Sequence, residues 1–300
     1  MRCANVDENE FRQLADGISN WGRWGSEDER GTLNFITPAI TQKALSLARY
    51  GDVIGLGKTL RVNNSQQNPA SACHFQLATG PVETSAQDAL LLNPHGFEMT
   101  HFDAVGHSFF DGNVYNGRRI SEVLTSSGLG FASIAAAASG IVTRGVLLDV
   151  AEVAGLKYLG LGVGIGREDL EKCEEVEGVT IGPGDAIFVR SGLDVREQLE
   201  GVSEQREGVL PEILSFLHER DIAIYSGDCI ERIPSDYPTL PMPFHQVGMA
   251  MMGLWFLDNP DIEVLATACR NHATFEFTLV IAPLNHPGGS ASAVNPIAIF

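Results

Sequence analysis

Two imidazoles and a carboxylate fall within seven residues at His101-Phe102-Asp103-Ala104-Val105-Gly106-His107. In an extended segment alternate side chains share a face, so His101 and Asp103 project together, and His107 returns after the small Ala104-Val105-Gly106 bend. Imidazole with carboxylate suits a divalent cation, zinc or manganese, and the sequence does not choose between them. A cation held there would bring the pKa of water down to about 7 and polarise a carbonyl, with His107 as the acid/base that carries the proton. That chemistry fits cleavage of an amide, cyclic imide or lactone. Run with an internal nucleophile, it fits ring closure or dehydration.

The elements that must position these residues read as α/β. Strand-like runs recur at Val53 to Leu60, Gly145 to Val150, Asp185 to Arg190, Ile222 to Tyr225 and Thr274 to Ala282. Helical patterns lie between them. Thr37 to Tyr50 opens on Thr-Pro and stops at Gly51, Arg167 to Glu177 stops at Gly178, and Leu210 to Arg220 has Pro211 in its first turn. Gln246 to Leu257 is apolar all round and reads as one buried helix. At 1.5 Å per residue that helix would hold His245 and Asp258 about 20 Å apart, too far for one ion. The glycine-rich Gly160 to Gly166 lacks the Lys-Ser/Thr of a phosphate loop and reads as a flexible loop.

Further candidates are weaker. Trp21 and Trp24 bracket glycines and could offer indole faces to a ring-shaped substrate, or anchor their segment to the core or to a partner subunit. Arg190 ends a predicted strand, where pocket residues are common in α/β folds, and is equally suited to pairing with a structural carboxylate.

The chain has 300 residues, 44% of them hydrophobic, and a formal net charge of -18. It is long enough to bury a sizeable core, and its acidity argues against nucleic acid as a partner. Cys3, Cys73, Cys173, Cys229 and Cys269 form no C-x-x-C pair, which argues against a disulfide framework or zinc-thiolate site and suits a cytoplasmic enzyme. The first residues carry no apolar signal core, and Val247 to Leu257, the longest apolar run, is too short to span a bilayer, so no membrane partner is expected.

The segment from His95 to Arg118, HGFEMTHFDAVGHSFFDGNVYNGR, resembles the signature of the metal-dependent cyclase family that includes bacterial kynurenine formamidase and isatin hydrolase. The likeness extends through Trp21-Gly22-Arg23-Trp24-Gly25, Arg30 to Asn34, Arg144 to Val150, Gly182 to Gly192, Pro241 to Asn259 and Val294-Asn295-Pro296. It implies a single swivelling β/β/α domain over residues 1–300, a barrel-like sheet flanked by helices, with an N-terminal arm of about 30 residues that packs on a partner subunit. It also implies His101 and Asp103 as metal ligands, His107 as acid/base, His245 as a further ligand, and Asp258 near the position where relatives carry Glu or Gln. Phe97 stands where the family has its first His. A phenyl ring cannot coordinate a cation, so the resemblance leaves His95 as a substitute ligand, or a site with fewer protein ligands and a pocket reshaped by Phe97. The expected activity is a metal-dependent hydrolase for a C–N or C–O bond of a small cyclic or aromatic acyl compound, in a homodimer or homotetramer. Three alternatives stay open: a non-hydrolytic cyclase or dehydratase of the same fold, a non-heme iron oxygenase built on His101, Asp103 and His245, and a metal-free binding protein.

Overall fold

The runs Val146–Leu148, Ala186–Val189 and Ile224–Tyr225 are continuously apolar, as strands buried on both faces must be. In the computed structural model of the chain they lie side by side in the middle of one sheet, every one of these residues buried. The structure describes residues 6–64, 72–78, 80 and 84–300. Cys3 and the first five residues of the N-terminal arm lie outside them.

Among the described residues the main sheet has nine strands, in the order Val53–Gly55, Ile297–Ile299, Glu276–Ile281, Ile141–Asp149, Ala186–Arg190, Ile224–Gly227, Trp255–Asp258, His101–Asp103, Ala291–Ala293. The four from Ile141–Asp149 to Trp255–Asp258 pair in parallel, and antiparallel strands flank them on both sides. The sheet curls into an open half-barrel flanked by helices. Parallel neighbours need crossovers, and these run through the helices Arg167–Glu177, Leu193–Glu200, Ile213–Glu219 and Pro243–Val247. Alternation along the strands feeds two cores. Val146, Leu148, Ile187, Val189 and Tyr225 face Leu170, Cys173 and Leu214 on one side. Leu147, Phe188, Ile224, Trp255 and Leu257 face Leu265, Ala266 and Cys269 of the helix Ile262–His272 on the other.

Local chemistry explains several boundaries. The helix Arg167–Glu177 ends where expected, at Gly178, whose φ of +67° is the left-handed turn that glycine takes without strain. The helix begun by Thr37 covers Pro38–Leu45 and stops short of Gly51, because Ser46 Oγ turns back to Lys43 O at 2.6 Å. The larger correction concerns Gln246 to Leu257. Pro243–Val247 is helical and Gly248–Met252 is a π turn, after which the chain reverses at Gly253 and leaves as the strand Trp255–Asp258. Gly253 has φ +66°, and a Cβ there would lie 2.7 Å from the Tyr115 ring. A uniformly apolar run cannot distinguish a buried helix from a turn and a buried strand.

The N-terminal arm packs on its own chain. Phe11 and Ala15 of the helix Glu8–Gly17 are fully buried, and Phe11 stacks on Tyr237 at 4.9 Å. Cys173, Cys229 and Cys269 are buried and free, and Cys73 is exposed and free. Among the described residues no helix is long and apolar enough to cross a membrane.

Candidate metal and acid-base site

His101 and Asp103 sit on a buried three-residue strand between Trp255–Asp258 and Ala291–Ala293. Between them, Phe102 turns to the opposite face and stacks on Trp255 at 5.0 Å. The pleat therefore sends both ligand-type side chains to one side. Asp258 pairs with His101 in antiparallel register, so these two also share a face. His101 Nε2 lies 3.6 Å from Asp103 Oδ1 and 3.8 Å from Asp258 Oδ2.

The reversal at Gly253 brings His245 to the same place. Its Nε2 is 3.5 Å from Asp258 Oδ2, so the separation of about 20 Å expected from a continuous helix is replaced by near contact. On its other side His245 Nδ1 donates to Glu231 Oε1 at 2.5 Å. Glu231 also accepts from the backbone N–H groups of Phe244 and His245, at 2.9 and 3.2 Å.

His95 enters from the preceding loop. Gly96, at φ +124°, lets the chain swing so that His95 faces inward while Phe97 passes to the wall. His95 Nδ1 approaches Asp103 Oδ1 to 3.2 Å, and its Nε2 bonds Ser290 Oγ at 2.9 Å. His107 stacks face to face on His95, ring centres 3.9 Å apart, and its Nε2 lies 3.8 Å from Asp103 Oδ2. The turn before His107 needs glycine, because a Cβ on Gly106 would lie 2.7 Å from Ala132 O.

The four histidines are not electrostatically alike. His101 Nδ1 donates to Met99 O at 2.8 Å, which fixes the tautomer and leaves Nε2 as a lone pair toward the cavity. Burial lowers the pKa of His107 to about 4, against the pull of Asp103, so its imidazole is neutral at pH 7. His245 goes the other way: burial disfavours its charge, but the hydrogen bonds of Asp258 and Glu231 together outweigh that and raise its pKa. Burial also opposes ionisation of Asp103, yet the neighbouring His101, His107 and His95 hold its carboxyl below the usual range. Despite this company, Asp103 Oδ1, Asp258 Oδ1 and His95 Nδ1 are buried with no hydrogen-bond partner. Two groups, His95 with His101 and Asp103, and Asp103 with His245 and Asp258, each have ligand atoms within 4.8 Å of one another and could hold a metal ion. They surround a cavity of 210 Å³ whose wall also includes Phe97 and Met242.

A cyclase family model, described as "Putative cyclase", matches residues 34–231. The chain belongs to the cyclase family. Among solved structures, a protein described as a novel cyclase superposes with a TM-score of 0.83 at 26% identity, covering 94% of this chain and 99% of that one. Isatin hydrolase A from Labrenzia aggregata, bound to benzyl benzoate, gives a TM-score of 0.61 at 16% identity over 87% of this chain and 98% of its own. Isatin hydrolase A from Ralstonia solanacearum gives 0.58 at 18% identity over 88% and 98%. No curated protein matches the sequence.

This cyclase-family cavity gathers His95, Phe97, His101, Asp103, His107, His245 and Asp258, and it leaves out three other candidates. Arg190 is buried in ion pairs, 2.7 Å from both Asp149 and Glu263, with a third bond to Lys157 O, so it is a structural cation rather than a cavity residue. Trp21 donates from Nε1 to Ala250 O at 2.6 Å and lies over Gly117. Trp24 packs edge-on against Phe35 at 5.0 Å. Both tryptophans anchor the arm to its own chain instead of lining the cavity. Sequence reasoning missed Glu231, Ser290 and Met242. Glu231 carried one signal, a carboxylate beside the apolar Cys229-Ile230 step, but nothing in its spacing links it to His245.

Proposed function

We propose that this cyclase-family protein is a metal-dependent hydrolase that cleaves a C–N or C–O bond, in an amide, cyclic imide or lactone, of a small cyclic or aromatic acyl compound. The observation that carries this reading is a set of buried atoms without a formed hydrogen bond: Asp103 Oδ1 and His95 Nδ1, which face each other at 3.2 Å, and Asp258 Oδ1. Carboxylate oxygens left in this way among imidazoles are costly to bury unless a cation completes them. His95, His101 and Asp103, and Asp103, His245 and Asp258, are two sets sharing Asp103 that each fit a divalent ion, zinc or manganese, with His95 taking the place that Phe97 cannot fill. Such an ion supplies acidification of water and polarisation of a carbonyl.

The chain's own residues supply the rest. His107, neutral at pH 7, accepts a proton at Nε2, where Asp103 Oδ2 at 3.8 Å stabilises the imidazolium, and then returns it to the leaving nitrogen or oxygen. Met99 O and Glu231 orient His101 and His245. Phe97 and Met242 give the cavity an apolar wall suited to a ring. Isatin hydrolases are among the structural neighbours, in keeping with this class.

Elemental analysis of protein purified without chelator tests the reading. Near-stoichiometric zinc or manganese is expected in the wild type and is lost in His101→Ala and Asp103→Ala. Wild-type protein that takes up neither metal, even when supplied, refutes it. Turnover in labelled water then separates hydrolysis, which incorporates the label, from ring closure, which does not.

A further inference from the structure

Phe97 lines three cavities at once. These are the 210 Å³ His/Asp cavity, a 20 Å³ pocket behind it and a separate 420 Å³ cavity on its far side. Its placement is built rather than incidental. Asn259 Nδ2 donates to Gly96 O at 2.8 Å and to Met99 O at 3.1 Å, which fixes the backbone on either side of it. The guanidinium carbon of Arg206 lies 4.2 Å from the centre of the Phe97 ring, a cation–π contact. Arg206 is itself only 4% exposed and is held by Glu197 Oε1 at 3.3 Å. Removing the Phe97 ring would therefore remove a wall that the two cavities share.

We propose that Phe97, positioned by Arg206, is a partition that limits the acyl group at the His/Asp cavity to a single ring and shuts it off from the 420 Å³ cavity. The size argument is that a closed cavity of about 150 Å³ holds benzene, so 210 Å³ matches one six-membered ring with its reacting group. Beyond the partition the wall changes character. The wall there is polar and ion-paired, with Asp194 holding Lys58, Glu197 holding Arg206 and Glu263 holding Arg190 beside Glu98, Asp261 and Arg61, so a polar tail such as an aminoalkyl chain suits the space that opening the partition would add. The assignment of the reacting group rests on the hydrolase reading, but the size limit does not depend on turnover.

The test is equilibrium binding, measured by calorimetry, of benzamide and of 4-(4-aminobutyl)benzamide to wild type, Phe97→Ala, Phe97→Leu and Arg206→Gln. Metal content and melting temperature are recorded for each protein. In the wild type the tailed probe is expected to bind at least about tenfold more weakly than benzamide. In Phe97→Ala that ratio moves by about tenfold or more toward the tailed probe, with Phe97→Leu intermediate and Arg206→Gln moving in the same direction by less. A ratio in Phe97→Ala within about twofold of wild type overturns the partition, as does a wild type that already accepts the tail, or a failure of every variant to bind benzamide. If the ratio shifts as expected while the wild type holds no metal or hydrolyses nothing, the hydrolase reading fails and the partition stands.

Discussion

His101 and Asp258 stand directly opposite each other across an antiparallel strand pair, with Nε2 and Oδ2 3.8 Å apart. Register, not chain proximity, makes them neighbours, since they lie 157 positions apart in sequence and a shift of one residue would send Asp258 to the far face. Asp258→Asn keeps the shape and removes the charge. It is expected to weaken metal binding by about 100-fold or more, at or beyond the top of the 10- to 100-fold range typical of residues outside the ligand sphere. Competition with a chromogenic chelator measures this, and an affinity within threefold of wild type would show that Asp258 holds no ion.

Glu231 supports His245 from the side away from the cavity, at Oε1 to Nδ1 2.5 Å, and is 3% exposed. Glu231→Ala leaves three donors unmatched and is expected to cost about 3–5 kcal/mol of stability, the range for breaking a buried ionic pair from one side. Glu231→Gln retains an acceptor for Nδ1–H. Its stability loss should be smaller, while metal affinity falls by about 10- to 100-fold because the imidazole becomes a poorer ligand. Chemical denaturation and metal titration on the two variants separate these effects; equal loss of both quantities in both variants would mean that Glu231 only fills space.

How much of this was legible in the sequence depended on whether a residue's role was local. His101, Asp103 and His107 lie within one strand and one turn, so their spacing alone brings them together, and the helix Arg167–Glu177 carries its own stop signal in Gly178. The central strands are visible because burial on both faces demands unbroken apolar runs. His245 and Asp258 were legible as residue types but not as neighbours, because the apolar stretch between them has no periodicity to reveal the turn at Gly253. Glu231 and Arg206 reach the site through tertiary packing alone. Arg190 misled for a related reason: the end of a strand is where pocket residues gather, but Asp149 and Glu263 already occupy its guanidinium.

Gly253 makes the turn that joins His245 to Asp258, and it does so at φ +66° with its α-carbon 2.9 Å from where a Cβ on Gly31 would sit. Gly253→Ala combines a left-handed backbone, worth about 1–2 kcal/mol, with a clash against the Tyr115 ring. A total loss of more than about 2 kcal/mol is expected, together with weaker metal binding as Asp258 is displaced. Gly155 is the control, since its φ is +72° and nothing lies within 4 Å of its would-be Cβ. Gly155→Ala should show the backbone cost alone and leave metal binding intact. Equal melting temperatures for the two variants would remove the packing part of this account.

Glu177 gives the fold a pH dependence remote from the cavity. It ends the helix Arg167–Glu177, accepts the Asp149 N–H at 2.9 Å through Oε1, and buries Oε2 without a partner. Burial raises its pKa to about 8, with the Asp149 carboxylate adding to the effect and the Asp149 N–H opposing it. The position at a helix C-terminus, where the backbone carries partial negative charge, acts in the same direction. The sign follows from proton counting. The unfolded chain releases this proton near its ordinary value of 4.5 while the folded chain keeps it to about 8, so the folded state binds more protons between those limits. The stability that Glu177 contributes is complete below about pH 4.5 and is lost as pH rises through about 8. Glu177→Gln cannot ionise and mimics the protonated acid. Its melting temperature should coincide with wild type near pH 4.5 and exceed it progressively toward pH 8, since only the wild type must bury a charge or take up a proton to stay folded. Parallel melting curves for the two proteins across that range would show that Glu177 is ionised in the fold and solvated better than its buried Oε2 suggests.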